Sequence, residues 1–136
     1  FLSERLKNCF TTDSSELANN ILDYTNNHPY YSQQLASSIW NIGTLQPETK
    51  DVLRTAIDHI VTTHGLDYER LWMNISRTSK WILQHLASNS QLQTGEYPTS
   101  TIYSALKRLQ KDGYVIYSNQ YEIEDPFFKE WILRES

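Results

Sequence analysis

Apolar positions recur at helical spacing along most of the chain. Val52, Leu53, Ala56, Ile57, Ile60 and Val61 form one stripe of helical period, and predict a helix that Gly65 ends. Ahead of it, Asp13-Ser14-Ser15-Glu16 has the spacing of a capping box. It predicts a helix over 14–26 carrying Leu17, Ile21, Leu22 and Tyr24, closed by Asn26-Asn27 in a left-handed C-terminus. Pro29 has the preset φ of a first helical turn, so a second helix is expected over 29–42, burying Leu35, Ile39 and Trp40 and stopping at Gly43. Pro47 restarts the chain near an N1 position. A short helix over 66–74 should turn Leu71 and Trp72 to one side.

From Ser76 the pattern changes. Ser76 caps a predicted helix over 77–88 whose stripe is Trp81, Ile82, His85 and Leu86. After a polar stretch containing Gly95, Pro98-Thr99-Ser100 opens a helix over 101–112 that Gly113 closes from the C′ position. Segments 114–117 and 120–123 read as two short strands around a Ser118-Asn119 turn. Asp125-Pro126 then starts a last helix through Phe127, Phe128, Trp131, Ile132 and Leu133. The expected fold is therefore mainly α, a helical bundle over 1–74 followed over 75–136 by a winged helix-turn-helix with a short β-hairpin wing. The boundary is placed near 74–76.

Composition narrows the function. With 39% hydrophobic residues, nine Tyr and four Trp in 136 residues, the chain can bury a core and is not a disordered tail. No apolar run is long enough to span a bilayer and no secretory pattern opens the sequence, so a cytoplasmic location without a membrane partner is expected. A single cysteine, Cys9, reads as a buried apolar thiol. The sequence starts at Phe1 and its one Met is Met73, which suggests a domain cut from a longer protein. Residues 1–75 hold five basic and nine acidic side chains and residues 76–136 seven of each, so nucleic-acid contact would need a local patch rather than bulk charge.

Catalytic signatures are missing from the sequence. Gly43, Gly65, Gly95 and Gly113 are isolated, so there is no phosphate-cradling loop, and neither a Gly-x-Ser-x-Gly elbow nor a Cys/His signature occurs. His59 and His64 are five apart and share no helical face, and no metal site is expected from them or from His28 and His85. Asn74-Ile75-Ser76 matches a glycosylation sequon, which in a sequence without a secretory pattern reads as coincidence.

The helix before the wing is the most suggestive surface. Ile102, Ala105, Leu106 and Leu109 should face the core, leaving Ser100, Thr101, Tyr103, Ser104, Lys107, Arg108 and Lys111 outward. Short hydroxyl residues at a helix start with cations further along suit base edges and phosphates, as on a DNA-reading helix. The same pattern also describes an ordinary solvated face. The wing, followed by Glu122 and Glu124, would repel phosphate and suits packing better than grip.

Three segments in order resemble the carboxy-terminal region of prokaryotic AAA/STAND-type P-loop ATPases of the archaeal-ATPase-like kind. They are Asn27-His28-Pro29-Tyr30-Tyr31-Ser32-Gln33-Gln34-Leu35-Ala36, then Ser100-Thr101-Ile102-Tyr103-Ser104-Ala105-Leu106-Lys107-Arg108-Leu109, then Tyr121-Glu122-Ile123-Glu124-Asp125-Pro126-Phe127-Phe128-Lys129-Glu130-Trp131. The resemblance implies a helical lid, a winged helix, and an ATPase core upstream of Phe1 that would hold ATP and Mg, with no cofactor in this chain. It also implies that Asn27, His28, Pro29, Tyr30 and Tyr31 lie near the nucleotide, where the lid's Gly-x-Pro motif sits; Asn27 replaces the Gly, which a positive φ would permit. The winged helix would then contact double-stranded DNA, or act as a protein-interaction or autoinhibitory module on a partner or on its own ATPase core. The run from Ser100 to Gly113 also resembles PadR-like regulators, which leaves a transcription repressor as the third reading.

Overall fold

The computed structural model describes residues 14–46, 50–90, 92 and 96–135. Cys9, Asp13, Pro47 and Gly95, whose expected roles are given above, lie outside these residues. Among the described residues there are seven helices and one antiparallel hairpin, so the fold is mainly α with a short β element near the C-terminus. The chain divides into two compact units between Thr63 and His64.

The first unit holds α1 (Ser14–Tyr24), α2 (Pro29–Leu45) and α3 (Val52–Thr63). Helix α1 ends in a Schellman motif: the Asn27 N–H donates to Leu22 O at 2.8 Å and the Asn26 N–H to Asp23 O at 3.3 Å. Asn26 and Asn27 take φ of 53° and 60°, the left-handed conformation expected of them. Immediately after, Pro29 occupies the first turn of α2, where its missing N–H costs no hydrogen bond. Ile21, Leu35, Ile39, Ala56, Ile57, Ile60 and Val61 form the core of this unit, with Leu53 and Trp40 half-buried at its edge. Two buried hydroxyls bridge the α1–α2 turn: Thr25 Oγ1 lies 2.6 Å from Ser32 Oγ and donates to Ile21 O at 2.8 Å. Gly43 does not stop α2, which continues to Leu45 and buries Gly43 within its own packing face.

The second unit holds α4 (Gly65–Asn74), α5 (Arg77–Ala87), α6 (Thr99–Lys111), β1 (Val115–Tyr117), β2 (Tyr121–Ile123) and α7 (Pro126–Glu135). Gly65 opens α4 behind the N-cap His64 instead of closing α3. Helix α4 packs on α7 through rings: Tyr68 sits 5.3 Å from Phe128 and 6.2 Å from Trp131, and Trp72 sits 5.9 Å edge-on to Trp131. Tyr68 is the buried residue of α4, while Leu71 and Trp72 are half-buried. The division of the chain thus precedes the change of pattern at 74–76, which marks the Ser76 cap: Ser76 Oγ accepts from the Ser79 N–H at 3.1 Å.

Helix α5 is rotated relative to the face expected of it. Ser79, Ile82, Leu83 and Ala87 are buried, and Trp81, His85 and Leu86 are only half-buried. A stripe weighted by ring size points to Trp81, but the buried face runs through the small Ser79 and Ala87, and the helix packs on α6, α7 and β2. Asn89, at φ 57°, closes α5 in a second Schellman motif, with the Ser90 N–H on His85 O at 2.9 Å. The hairpin pairs Val115 with Ile123 and Tyr117 with Tyr121. This register leaves a three-residue loop, 118–120, where the sequence pattern predicts a two-residue turn. Phe127, Phe128, Trp131 and Ile132 are buried on α7, whereas Leu133 faces solvent at 50% exposure. Helix, intervening segment, helix and hairpin follow in the order of a winged helix.

Candidate nucleic-acid interface

Helix α6 carries the strongest candidate surface. Pro98 is its N-cap and offers no side-chain acceptor, and α6 starts at Thr99, two residues ahead of the sequence expectation. It ends in a third Schellman motif, the Tyr114 N–H donating to Leu109 O at 3.0 Å and the Gly113 N–H to Gln110 O at 3.2 Å. Gly113 has φ 88°, and a Cβ there would meet nothing within 4 Å, so conformation alone is what demands glycine.

Ile102, Leu106 and Leu109 are buried and Ala105 is half-buried, which fixes the helix by one stripe. Ser100, Thr101, Tyr103, Ser104, Lys107, Arg108 and Lys111 are all exposed, so the structure brings these seven residues onto one outward surface. Lys107 Nζ lies 5.3 Å from the centre of the Tyr103 ring one turn back, a cation–π contact that holds the lysine along the helix. No acidic residue occurs between Thr99 and Lys111, and among the described residues neither Arg108 nor Lys111 forms an ion pair. The positive charge of this face is uncompensated by its own helix.

The wing beside it is of different character. Val115 and Ile123 point into the core, and Tyr117 and Tyr121 face each other with ring centres 4.8 Å apart. Residues 114–124 include no Lys or Arg, and Glu122 and Glu124 are half-buried. The hairpin therefore packs and spaces rather than adding cations.

The residues expected near a nucleotide lie together at the α1–α2 turn. Asn27 and Pro29 are exposed, and His28, half-buried, is the N-cap of α2 with its ring 4.6 Å from that of Tyr31. Tyr31 is buried, while Tyr30 is 67% exposed and meets Tyr31 edge-on at 5.2 Å. The arrangement is a small aromatic cluster with one tyrosine face open to solvent. His59 lies within α3 and His64 caps α4; among the described residues no group of three or more His, Cys, Asp or Glu converges on a common point.

Sequence reasoning misses a second surface in this unit. Arg77, Lys80, Trp81 and Gln84 line a cleft together with Trp72, Glu96 and Tyr97. Their spacing of three, four and seven from Arg77 is the available signal, masked by the expectation of Trp81 in the core. Comparisons with family models, curated proteins and solved structures find no match to this chain.

Proposed function

We propose that the second unit is a winged helix that binds double-stranded DNA through α6, within the non-catalytic C-terminal part of a nucleotide-controlled ATPase. The observation that carries this reading is the outward face of α6, where Ser100, Thr101 and Ser104 precede Lys107, Arg108 and Lys111, three exposed cations without an ion pair among the described residues. Hydroxyls at the leading end reach base edges, and cations further along neutralise phosphates. Ordered by three buried apolar side chains, the helix presents this face without rearrangement.

The first unit supplies the lid in this proposal. Its exposed Tyr30 and the turn from Asn27 to Pro29 are the surface that would meet a nucleotide held by an upstream ATPase core with ATP and Mg. Lacking a phosphate-cradling loop, the 136 residues bind no nucleotide strongly and hydrolyse none.

One observation favours a second reading, in which the winged helix docks on a protein. The wing carries no cation, holds Glu122 within β2 and is followed by Glu124, where a DNA-gripping wing would present Lys or Arg. A partner protein or the chain's own ATPase core would then meet α6. Salt-dependent binding to duplex DNA, weakened on replacing Lys107 and Lys111, separates the two.

A further inference from the structure

The rotation of α5 places Arg77, Lys80, Trp81 and Gln84 along one edge of an open cleft of about 450 Å³. Trp72 of α4 closes one side, and Glu96 and Tyr97, just ahead of α6, close another. The rings are held in place. Trp81 meets Tyr97 edge-on at 5.3 Å and His85 at 4.3 Å, the His85 ring being fixed in turn by Nδ1 at 2.8 Å from Trp81 O. Trp72 is set by Trp131 and Phe128 behind it. Arg77 and Lys80 form no ion pair among the described residues, so two cations stand against the single carboxylate of Glu96.

Fixed aromatic rings lining a cleft beside unpaired cations match a base and its phosphate. We propose that this cleft binds an unpaired nucleotide of a single-stranded nucleic acid, with the base against Trp81 and Tyr97 and the phosphate at Arg77 and Lys80. Gln84 and Glu96 supply an amide and a carboxylate for the base edge. A duplex hides its base faces in the stack and cannot use these rings, so the cleft is distinct from the α6 surface and does not depend on it. An acidic peptide would engage the cations and leave the rings idle. The volume lies within the range of small-molecule sites and accommodates one nucleotide.

The test is a titration of the full chain with a twelve-residue deoxythymidine oligonucleotide, followed by intrinsic tryptophan fluorescence, since Trp72 and Trp81 edge the cleft. Saturable quenching is expected. Arg77→Ala/Lys80→Ala should weaken binding and make the dependence of log K on log salt shallower by roughly 0.7 for each phosphate no longer neutralised. Trp81→Ala, followed by anisotropy of labelled oligonucleotide, should weaken binding roughly 5- to 150-fold. Arg77 is exposed and Lys80 half-buried, with neither in the core, so that double variant tests the cleft even if Trp81→Ala fails to fold. Absence of quenching, or binding indifferent to the double variant, would overturn the proposal. So would deoxythymidine monophosphate binding as tightly as the oligonucleotide, which would assign a free nucleotide, or full displacement by polyglutamate, which would assign an acidic peptide. Duplex binding without oligonucleotide quenching overturns the cleft alone; quenching without duplex binding leaves the cleft standing and overturns the α6 reading.

Discussion

Tyr68 Oη donates to Asp125 Oδ2 at 3.3 Å across 57 residues of sequence, joining the middle of α4 to the start of α7. The other oxygen of the same carboxylate, Oδ1, accepts from the Phe127 and Phe128 N–H groups at 2.8 and 3.3 Å. Asp125 is thus both the cap of the last helix and the acceptor that sets α4 against it. Phe128 and Trp131, the residues that pack on Tyr68, lie in the two turns this cap begins.

That carboxyl carries a conflict that pH should expose. Burial pushes Asp125 above the usual carboxylate range; the Phe127 and Phe128 N–H groups pull against it, Glu124 adds to the rise, and Tyr68 opposes it. A native-state value above the unfolded one means the folded chain binds the proton more tightly. The group's contribution is then fully present below its ordinary value of 3.8 and is lost as pH rises through the raised native value. Denaturant unfolding of the wild type and Asp125→Asn at several pH values should show this loss in the wild type and not in the variant. Asp125→Ala, which removes the cap, should cost about 1 kcal/mol at neutral pH.

The buried hydroxyl pair at the α1–α2 turn gives a second test. Thr25→Val leaves the buried Ser32 hydroxyl without its 2.6 Å partner and should cost about 1–3 kcal/mol. Adding Ser32→Ala should recover part of that loss, because both polar groups are then gone. A double-mutant cycle in urea measures the coupling; strictly additive losses would contradict the assignment.

Left-handed residues close three helices. Gly113→Ala should destabilise the second unit by roughly 1–2 kcal/mol, since φ of 88° is strained for alanine although space is open. Asn89→Gly should stabilise or be neutral, as glycine adopts its φ of 57° without a Cβ penalty. Thermal unfolding of both variants checks the pair of signs.

Purified chain should show no ATP turnover above background in a phosphate-release assay. Sustained turnover that co-purifies with the 136 residues would contradict the reading of this piece as non-catalytic.

Local chemistry explains what is legible in the sequence. Ser76, Asn26, Asn27, Gly113 and the Asp125-Pro126 pair each act on their own backbone within a few residues, so their roles are visible as patterns. The outward face of α6 is equally legible, because three well-spaced apolar residues fix its rotation. Gly43 and Gly65 mislead because glycine serves three purposes, a stop, a start or a close contact, and only packing decides among them. Trp81 misleads for a related reason: a large ring looks like core, yet the buried face runs through the small residues Ser79 and Ala87 and leaves Trp81 half-buried. The aromatic-cationic cleft follows from that rotation and cannot be assembled from the sequence, since Trp72 and Tyr97 come from different segments.

The central claim is that α6 grips duplex DNA, and fluorescence anisotropy at about 50 and 200 mM salt tests it most directly. Binding should weaken with salt, log K falling against log salt at roughly −0.9 per phosphate contact, and Lys107→Ala/Lys111→Ala should bind more weakly with a slope shallower by roughly 1.8. Failure to bind at the lower salt, or binding that ignores both lysines, would contradict it and turn α6 into a protein-facing surface.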